Sequence, residues 1–133
     1  MRKRNAPYKI FVKPLYTKDN GMYVMDITGV PFKSEYTWIE KISMSLPPTV
    51  IAGNHAHKHV EAFLAMTDGM DLYWQDAKKK IHRMSLYNKN KPFFLILPPY
   101  IPHAVKNNAK QDGIMVKFAN EPPGEMIRFT LVK

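Results

Sequence analysis

The chain has 133 residues, 45% of them hydrophobic and none of them cysteine, which excludes disulfides, thiolate metal clusters and a thiol nucleophile. Twenty Lys and Arg against eleven Asp and Glu give a formal charge of +9, and the stretch from Ala77 to Gln111 carries eight basic residues and no acidic one. A field of that sign favours an anionic partner, although charge alone does not choose among nucleic acid, nucleotide and sugar phosphate.

The N-terminal Met1-Arg2-Lys3-Arg4 is basic like the start of a signal peptide, yet no apolar stretch of useful length follows it. Short apolar or alternating runs then succeed one another at Tyr8–Phe11, Met22–Ile27, Trp38–Met44, Glu61–Met66, Asp71–Gln75, Lys80–Leu86, Phe93–Leu97, Gly113–Phe118 and Met126–Val132. Most have strand length and are rich in β-branched or aromatic residues. Between them lie turn signals: Asp19-Asn20-Gly21, Thr67-Asp68-Gly69, Asp76-Ala77-Lys78 and Asp112-Gly113. Proline pairs at Pro47-Pro48, Pro98-Pro99 and Pro122-Pro123 break the longer helical windows, so a helix around Glu121–Met126 is limited to a turn. Roughly seven to nine strands at this spacing predict an all-β antiparallel sandwich or barrel. The longest apolar run, Phe93–Leu97, is far shorter than the ~20 residues of a membrane-spanning helix. The expectation is a cytoplasmic protein with no membrane span.

Four of the five histidines fall in two places, His55, His57 and His59 in one stretch and His103 in another. On an extended strand, residues two apart share a face, so His55 and His57 project together about 7 Å apart along the backbone. A turn at Lys58–Val60 would return Glu61 beside them. A fourth ligand must come from a distant strand, and His103, preceded by Pro102, is the natural candidate. A His-X-His pair alone is more often a surface or satisfied core pair than a ligand pair; Glu61 and His103 tip that balance. His55, His57, Glu61 and His103 make a borderline-to-hard donor set, suited to a divalent transition metal: Zn²⁺, Fe²⁺, Mn²⁺, Ni²⁺ or Co²⁺. His59 lies in the expected turn, where a supporting or exposed role outweighs ligation. Met44, Met66, Met84 and Met115 read as core fillers. Trp38 and Trp74 suit burial or an interface at least as well as a sugar site.

The run Gly53-Asn54-His55-Ala56-His57-Lys58-His59-Val60-Glu61, followed by Gly69 with one residue more than usual between, resembles the first motif of the cupins. Pro98-Pro99-Tyr100-Ile101-Pro102-His103-Ala104-Val105-Lys106-Asn107 is similar to the second, with His103 and Asn107 matching and Tyr100 standing where the family has glycine. The resemblance implies a cupin-type double-stranded β-helix, a small jelly-roll barrel. It would form a single domain over residues 1–133, with a core at about 22–118 and a strand extension at each end. Such barrels are often dimeric, so a homodimer is expected, with a carbohydrate or its nucleotide diphosphate bound in the mouth. The wording Asn54-His55-Ala56-His57-Lys58 is similar to the sugar-nucleotide branch, which includes the dTDP-4-keto-sugar 3,4-ketoisomerases and the cupin domains of capsular polysaccharide enzymes. The Asn20-Gly21 turn and Pro31-Phe32 before a strand agree with that layout. Two positions depart from it. Ala52 stands where those enzymes carry an arginine near the diphosphate, and Glu40–Met44 lacks their tyrosine, with Tyr36 and Trp38 a little earlier.

The leading expectation is a metal-binding cupin that acts on a small anionic or carbohydrate ligand, sugar-nucleotide-like, by isomerase or epimerase chemistry. The ion would serve as a Lewis acid on a carbonyl or hydroxyl. His59 or Tyr100 would shuttle the proton, Arg83 and Lys106 would hold a phosphate, and Phe63 would line the wall, since alternation turns Glu61, Phe63 and Ala65 inward. A metal-free version would use His55 and His57 as acid and base. The rivals are an iron-dependent cupin dioxygenase and a non-catalytic small-molecule-binding cupin. An apolar pocket wall favours an aromatic substrate, and a wall with Arg, Asn and Tyr favours sugar. Nucleic-acid binding draws only on Arg2-Lys3-Arg4 and Lys78-Lys79-Lys80, which read equally as solubilising tails and turns, and it ranks below the others.

Overall fold

A computed structural model describes residues 5–27 and 36–133. The basic Arg2-Lys3-Arg4 and the Pro31-Phe32 pair lie outside the described residues. Twelve strands follow in order: β1 (Tyr8–Phe11), β2 (Lys13–Thr17), β3 (Tyr23–Asp26), β4 (Glu40–Leu46), β5 (Ile51–His57), β6 (Glu61–Ala65), β7 (Met70–Gln75), β8 (Ile81–Ser85), β9 (Phe93–Leu97), β10 (His103–Asn107), β11 (Gly113–Ala119) and β12 (Met126–Arg128). They form two five-stranded sheets, ordered β1-β9-β6-β11-β4 and β12-β5-β10-β7-β8, with β2 and β3 as a separate hairpin. Every pairing is antiparallel. The architecture is the all-β double-stranded β-helix of the cupin type. No helix among the described residues is long and apolar enough to cross a membrane.

The three strands beyond the apolar runs are β2, β5 and β10. The last two are the histidine stretches themselves, in which polar residues occupy the inward positions and interrupt the apolar alternation. Around Glu121–Met126 the chain takes no helical turn, and β12 begins at Met126.

The core has two layers. Between the sheets lie Phe63, Leu72, Leu95, Leu97, Val105 and Met115 among others. On the outer face of the first sheet Trp38, Ala62, Leu64, Phe94, Ile96 and Phe118 form a second cluster, so Trp38 is core. Being covered on both faces, β6 and β9 are buried at every position, which is why Phe93–Leu97 reads as an unbroken apolar run. Met44, Met84 and Met115 do pack in the inner layer. Met66, expected there too, is 45% exposed because it follows the end of β6.

Two backbone features set up what the barrel holds. β5 and β10 pair His55 with His103 and Gly53 with Ala104, leaving Asn54 as an extra bulged residue. Gly53 and Asn54 both take positive φ, 110° and 61°. Without the bulge, strand alternation would turn either Ala52 or His55 inward; with it, both reach the cavity. The bulge residue is used as well: the Asn54 carboxamide accepts from the Leu131 amide at 3.0 Å and donates to the Val132 carbonyl at 3.0 Å, tying down the chain's end.

Tyr100 has φ of 63°, the left-handed conformation that glycine adopts freely, so this departure from the motif keeps the backbone shape and carries its strain. Left-handed strain of ~1–2 kcal/mol, less glycine's entropy cost, gives an expected stabilisation of about 0.5–1 kcal/mol for Tyr100→Gly. A higher urea midpoint is the expected readout; an unchanged or lower one would show that the ring's contacts outweigh the strain.

Candidate metal centre

The bulged β5 carries His55 and His57 into the space between the sheets, and β10 carries His103 to the same place. The three rings pack with centroids 5.1 Å (His55–His57), 4.8 Å (His55–His103) and 4.7 Å (His57–His103) apart. After β5 the chain crosses to the other sheet, where Glu61, the first residue of β6, faces them. His57 Nε2 lies 3.0 Å and His103 Nε2 3.4 Å from Glu61 Oε1. His57, Glu61 and His103 are all buried.

The other ring nitrogens decide what those contacts mean. His57 Nδ1 lies 3.0 Å from the His59 carbonyl and His103 Nδ1 2.8 Å from the Ile101 carbonyl. A carbonyl only accepts, so each Nδ1 carries the hydrogen, and each neutral ring then presents a lone pair at Nε2. Two such lone pairs aimed at one carboxylate oxygen attract it only through a cation between them, a proton or a metal ion. Imidazoles fixed by Nδ1–H bonds to carbonyls are also the usual support of metal-binding histidines. The donor set fits a divalent transition metal on chemistry as well as convergence. One ligand-capable atom each from His55, His57 and His103 lie within 4.8 Å of one another, and the same holds for His57, His59 and Glu61.

Electrostatics agree. Burial, reinforced by His103 and His57, lowers His55 to a pKa of about 4, which leaves its ring neutral at pH 7. Burial pushes the Glu61 carboxyl up; with protons as the intervening cations, hydrogen bonds from His103, His57 and His59 outweigh it and hold the group ionised far below the usual carboxylate range.

His59, for which a supporting or an exposed role was open, is 5% exposed. Its ring stacks on His57 at 3.6 Å, and its Nε2 lies 3.3 Å from Glu61 Oε2. Lys117 went unnoticed in the sequence. Its ammonium sits 3.3 Å from Glu61 Oε2 and 3.0 Å from Glu40 Oε1. Burial opposes its charge, yet Glu61 and Glu40 raise its pKa above the ordinary lysine value. The available signal was alternation along β11, where Met115 and Lys117 share a face and only one of them is apolar.

The cavity these groups share has a volume of about 90 Å³, room for several water-sized groups. Apart from the histidines, Glu61 and Lys117, its wall is apolar, with Met44, Phe63, Val105, Met115, Pro123 and Met126. Phe63 is thus where alternation placed it.

Three other expected residues are elsewhere. Arg83 and Lys106 do not line the cavity. In the sheet register, Val105 stands opposite Leu72, so Lys106 and Asp71 fall on the outer face, as do Tyr73 and Arg83 one row along. Arg83 donates to Asp71 Oδ2 at 2.8 Å, and Lys106 Nζ donates to the Lys133 carbonyl at 2.8 Å. Tyr100 is 60% exposed and borders a different, outer cavity of about 240 Å³, whose inner wall is the His57–His59 stack. Trp74 stacks on His82 at 4.3 Å.

No protein-family model and no curated protein matches the chain. Solved structures do match in fold. The dTDP sugar isomerase from Desulfovibrio desulfuricans superposes with a TM-score of 0.75 at 10% identity, over 94% of this chain and 84% of that one. QdtA, a sugar 3,4-ketoisomerase from Thermoanaerobacterium thermosaccharolyticum solved with TDP, gives 0.74 at 12% identity over 93% and 88%. The capsular polysaccharide assembling protein CapF from Staphylococcus aureus gives 0.60 at 17% identity over 68% of this chain, which spans 28% of CapF's length.

Proposed function

We propose that this cupin-fold chain binds one divalent transition metal through His55, His57, Glu61 and His103. It acts on a carbohydrate or sugar-nucleotide-like ligand by isomerase or epimerase chemistry. The observation that carries the metal is the convergence of the His57 and His103 Nε2 atoms on Glu61, with their Nδ1 atoms against carbonyls that can only accept. The fold neighbours support the ligand class, since their names describe sugar isomerases and one was solved with TDP-4-keto-6-deoxyglucose.

When bound, the ion supplies Lewis acidity toward a carbonyl or hydroxyl oxygen. The chain's residues do the rest. The carbonyls of His59 and Ile101 orient two imidazoles, and Lys117 balances the charge of Glu61 from the far side. The apolar wall excludes water. Of the two groups expected to move a proton, His59 is the better placed, because it lines both the central and the outer cavity and Tyr100 only the outer one.

Protein purified without chelator is expected to carry about one equivalent of a transition metal by elemental analysis, and less than about one-tenth would overturn the metal reading in favour of imidazole acid–base chemistry. Conversion of TDP-4-keto-6-deoxyglucose, followed by NMR, is expected to be lost on metal stripping and restored by reloading. Equal rates before and after would remove the Lewis-acid role.

The apolar wall favours a second reading, an iron-dependent oxygenase on a less polar substrate. Oxygen uptake with catechols, thiols and diketones after iron loading tests it; no consumption across the series rejects it.

A further inference from the structure

We infer that Arg128 is the anion-binding residue of this site and that its ligand carries an oxyanion, a phosphate or a carboxylate, close to the oxygen that lies over the imidazoles. The location of that second oxygen rests on the proposed metal centre; the anion contact does not.

The register places the residue. β12 pairs with β5 so that Met126 lies opposite His57 and Arg128 opposite His55. Residues directly opposite in an antiparallel pair point to the same face. Met126, His55 and His57 all line the cavity, and Arg128, two residues beyond Met126, belongs to that face. The row continues across the sheet, from Arg128 to His55 to His103, with neighbouring strands about 4.8 Å apart. An independent sign of proximity is that the charge of Arg128 contributes to lowering His55.

The strand is held in this position. The Phe129 amide donates to the Asn54 carbonyl at 2.9 Å, and the Leu131 amide to the Asn54 side chain at 3.0 Å. Arg128 thus stands on a fixed backbone, on the sheet face that the cavity histidines share.

The other cations of this sheet face are committed or lie off it, and Lys58 borders the outer cavity instead. Lys117 is shared by Glu40 and Glu61, Arg83 is paired with Asp71, and Lys106 lies on the outer face against the Lys133 carbonyl. Lys78, Lys79 and Lys80 are at the exposed turn between β7 and β8. Arg128 is exposed, and no ion pair among the described residues occupies its guanidinium. A forked donor with no internal acceptor, on the same face as the imidazole cluster, is suited to bidentate contact with phosphate or carboxylate.

The test titrates inorganic phosphate and, separately, acetate into the full chain, with and without Zn²⁺, and follows the Arg128 Nε–H and the amides of residues 55 and 126 by NMR. Saturable shifts are expected with at least one anion in the metal-free protein, and the tighter anion identifies the ligand's charged group. Arg128→Gln is expected to weaken that binding about tenfold or more, while Lys106→Gln leaves it unchanged. The absence of saturable shifts in the wild type, or equal affinity in Arg128→Gln, overturns the inference. Zinc uptake, measured in the same samples, reports on the metal centre separately.

Discussion

Replacing His103 by alanine is expected to lower the affinity for a divalent metal by at least ~100-fold, beyond the 10–100-fold typical of losing only a supporting contact. His103 is the one proposed ligand from β10, and its Nε2 approaches the same Glu61 oxygen as His57 Nε2. Its removal takes away the donor from β10, and the remaining neighbouring imidazole, His59, is held against Glu61 Oε2. Val105, two residues along on the same face, is apolar, and His59 lies on the other side of His57. Competition against a chromophoric chelator reads the affinity, and the urea midpoint shows whether the barrel survives. His82→Ala serves as the control, since that ring is paired with Asp76 and stacked on Trp74, outside the cavity lining. Equal metal affinity in His103→Ala and wild type would sink the proposed ligand set.

Gly53→Ala is expected to cost about 2–4 kcal/mol of stability, through left-handed backbone strain and overpacking together. With φ at 110°, a Cβ here would meet the His103 carbonyl oxygen at 2.9 Å and the Ala104 Cα at 3.1 Å. Both are backbone atoms, so no side-chain rotation gives relief. The strands must part, and they are the two that bring His55 and His103 together, so metal binding falls along with the urea midpoint. Gly21→Ala separates strain from clash. Its φ is 90°, but a Cβ there meets nothing within 4 Å, so it should show the smaller loss and keep the metal site. Equal midpoints for Gly53→Ala and wild type would remove the close approach as an explanation of that glycine.

Strands and turns were legible wherever local chemistry was sufficient. Tyr8–Phe11 and Phe93–Leu97 are strands with the bounds read from their apolar runs. The Asp76 turn is closed as its sequence suggests, with the Asp76 carboxylate accepting from the amides of Lys78 and Lys80 at 2.9 and 3.0 Å. The histidine stretches were recognisable by spacing, and His55, His57 and His103 come together with Glu61 against two of them. The sequence left His59 between a supporting and an exposed role, because the path of the chain between the two sheets, not its local turn, decides its burial. Arg83 and Lys106 were drawn toward the cavity by charge, although strand parity turns both outward.

The amino-acid sequence by itself determined the all-β class, the strand-and-turn punctuation and the candidate imidazole and carboxylate cluster, because these depend on residue type and short-range spacing. Only the tertiary structure decided which cations face the cavity. Lys117 lines it, Arg128 shares the sheet face of His55, and Arg83 and Lys106 lie on the outer face, through the register of strands distant in sequence and a single bulge at Asn54. A strand's side chains change face at every residue, so a one-residue shift in pairing reverses inside and outside, and that register is set by partners elsewhere in the chain.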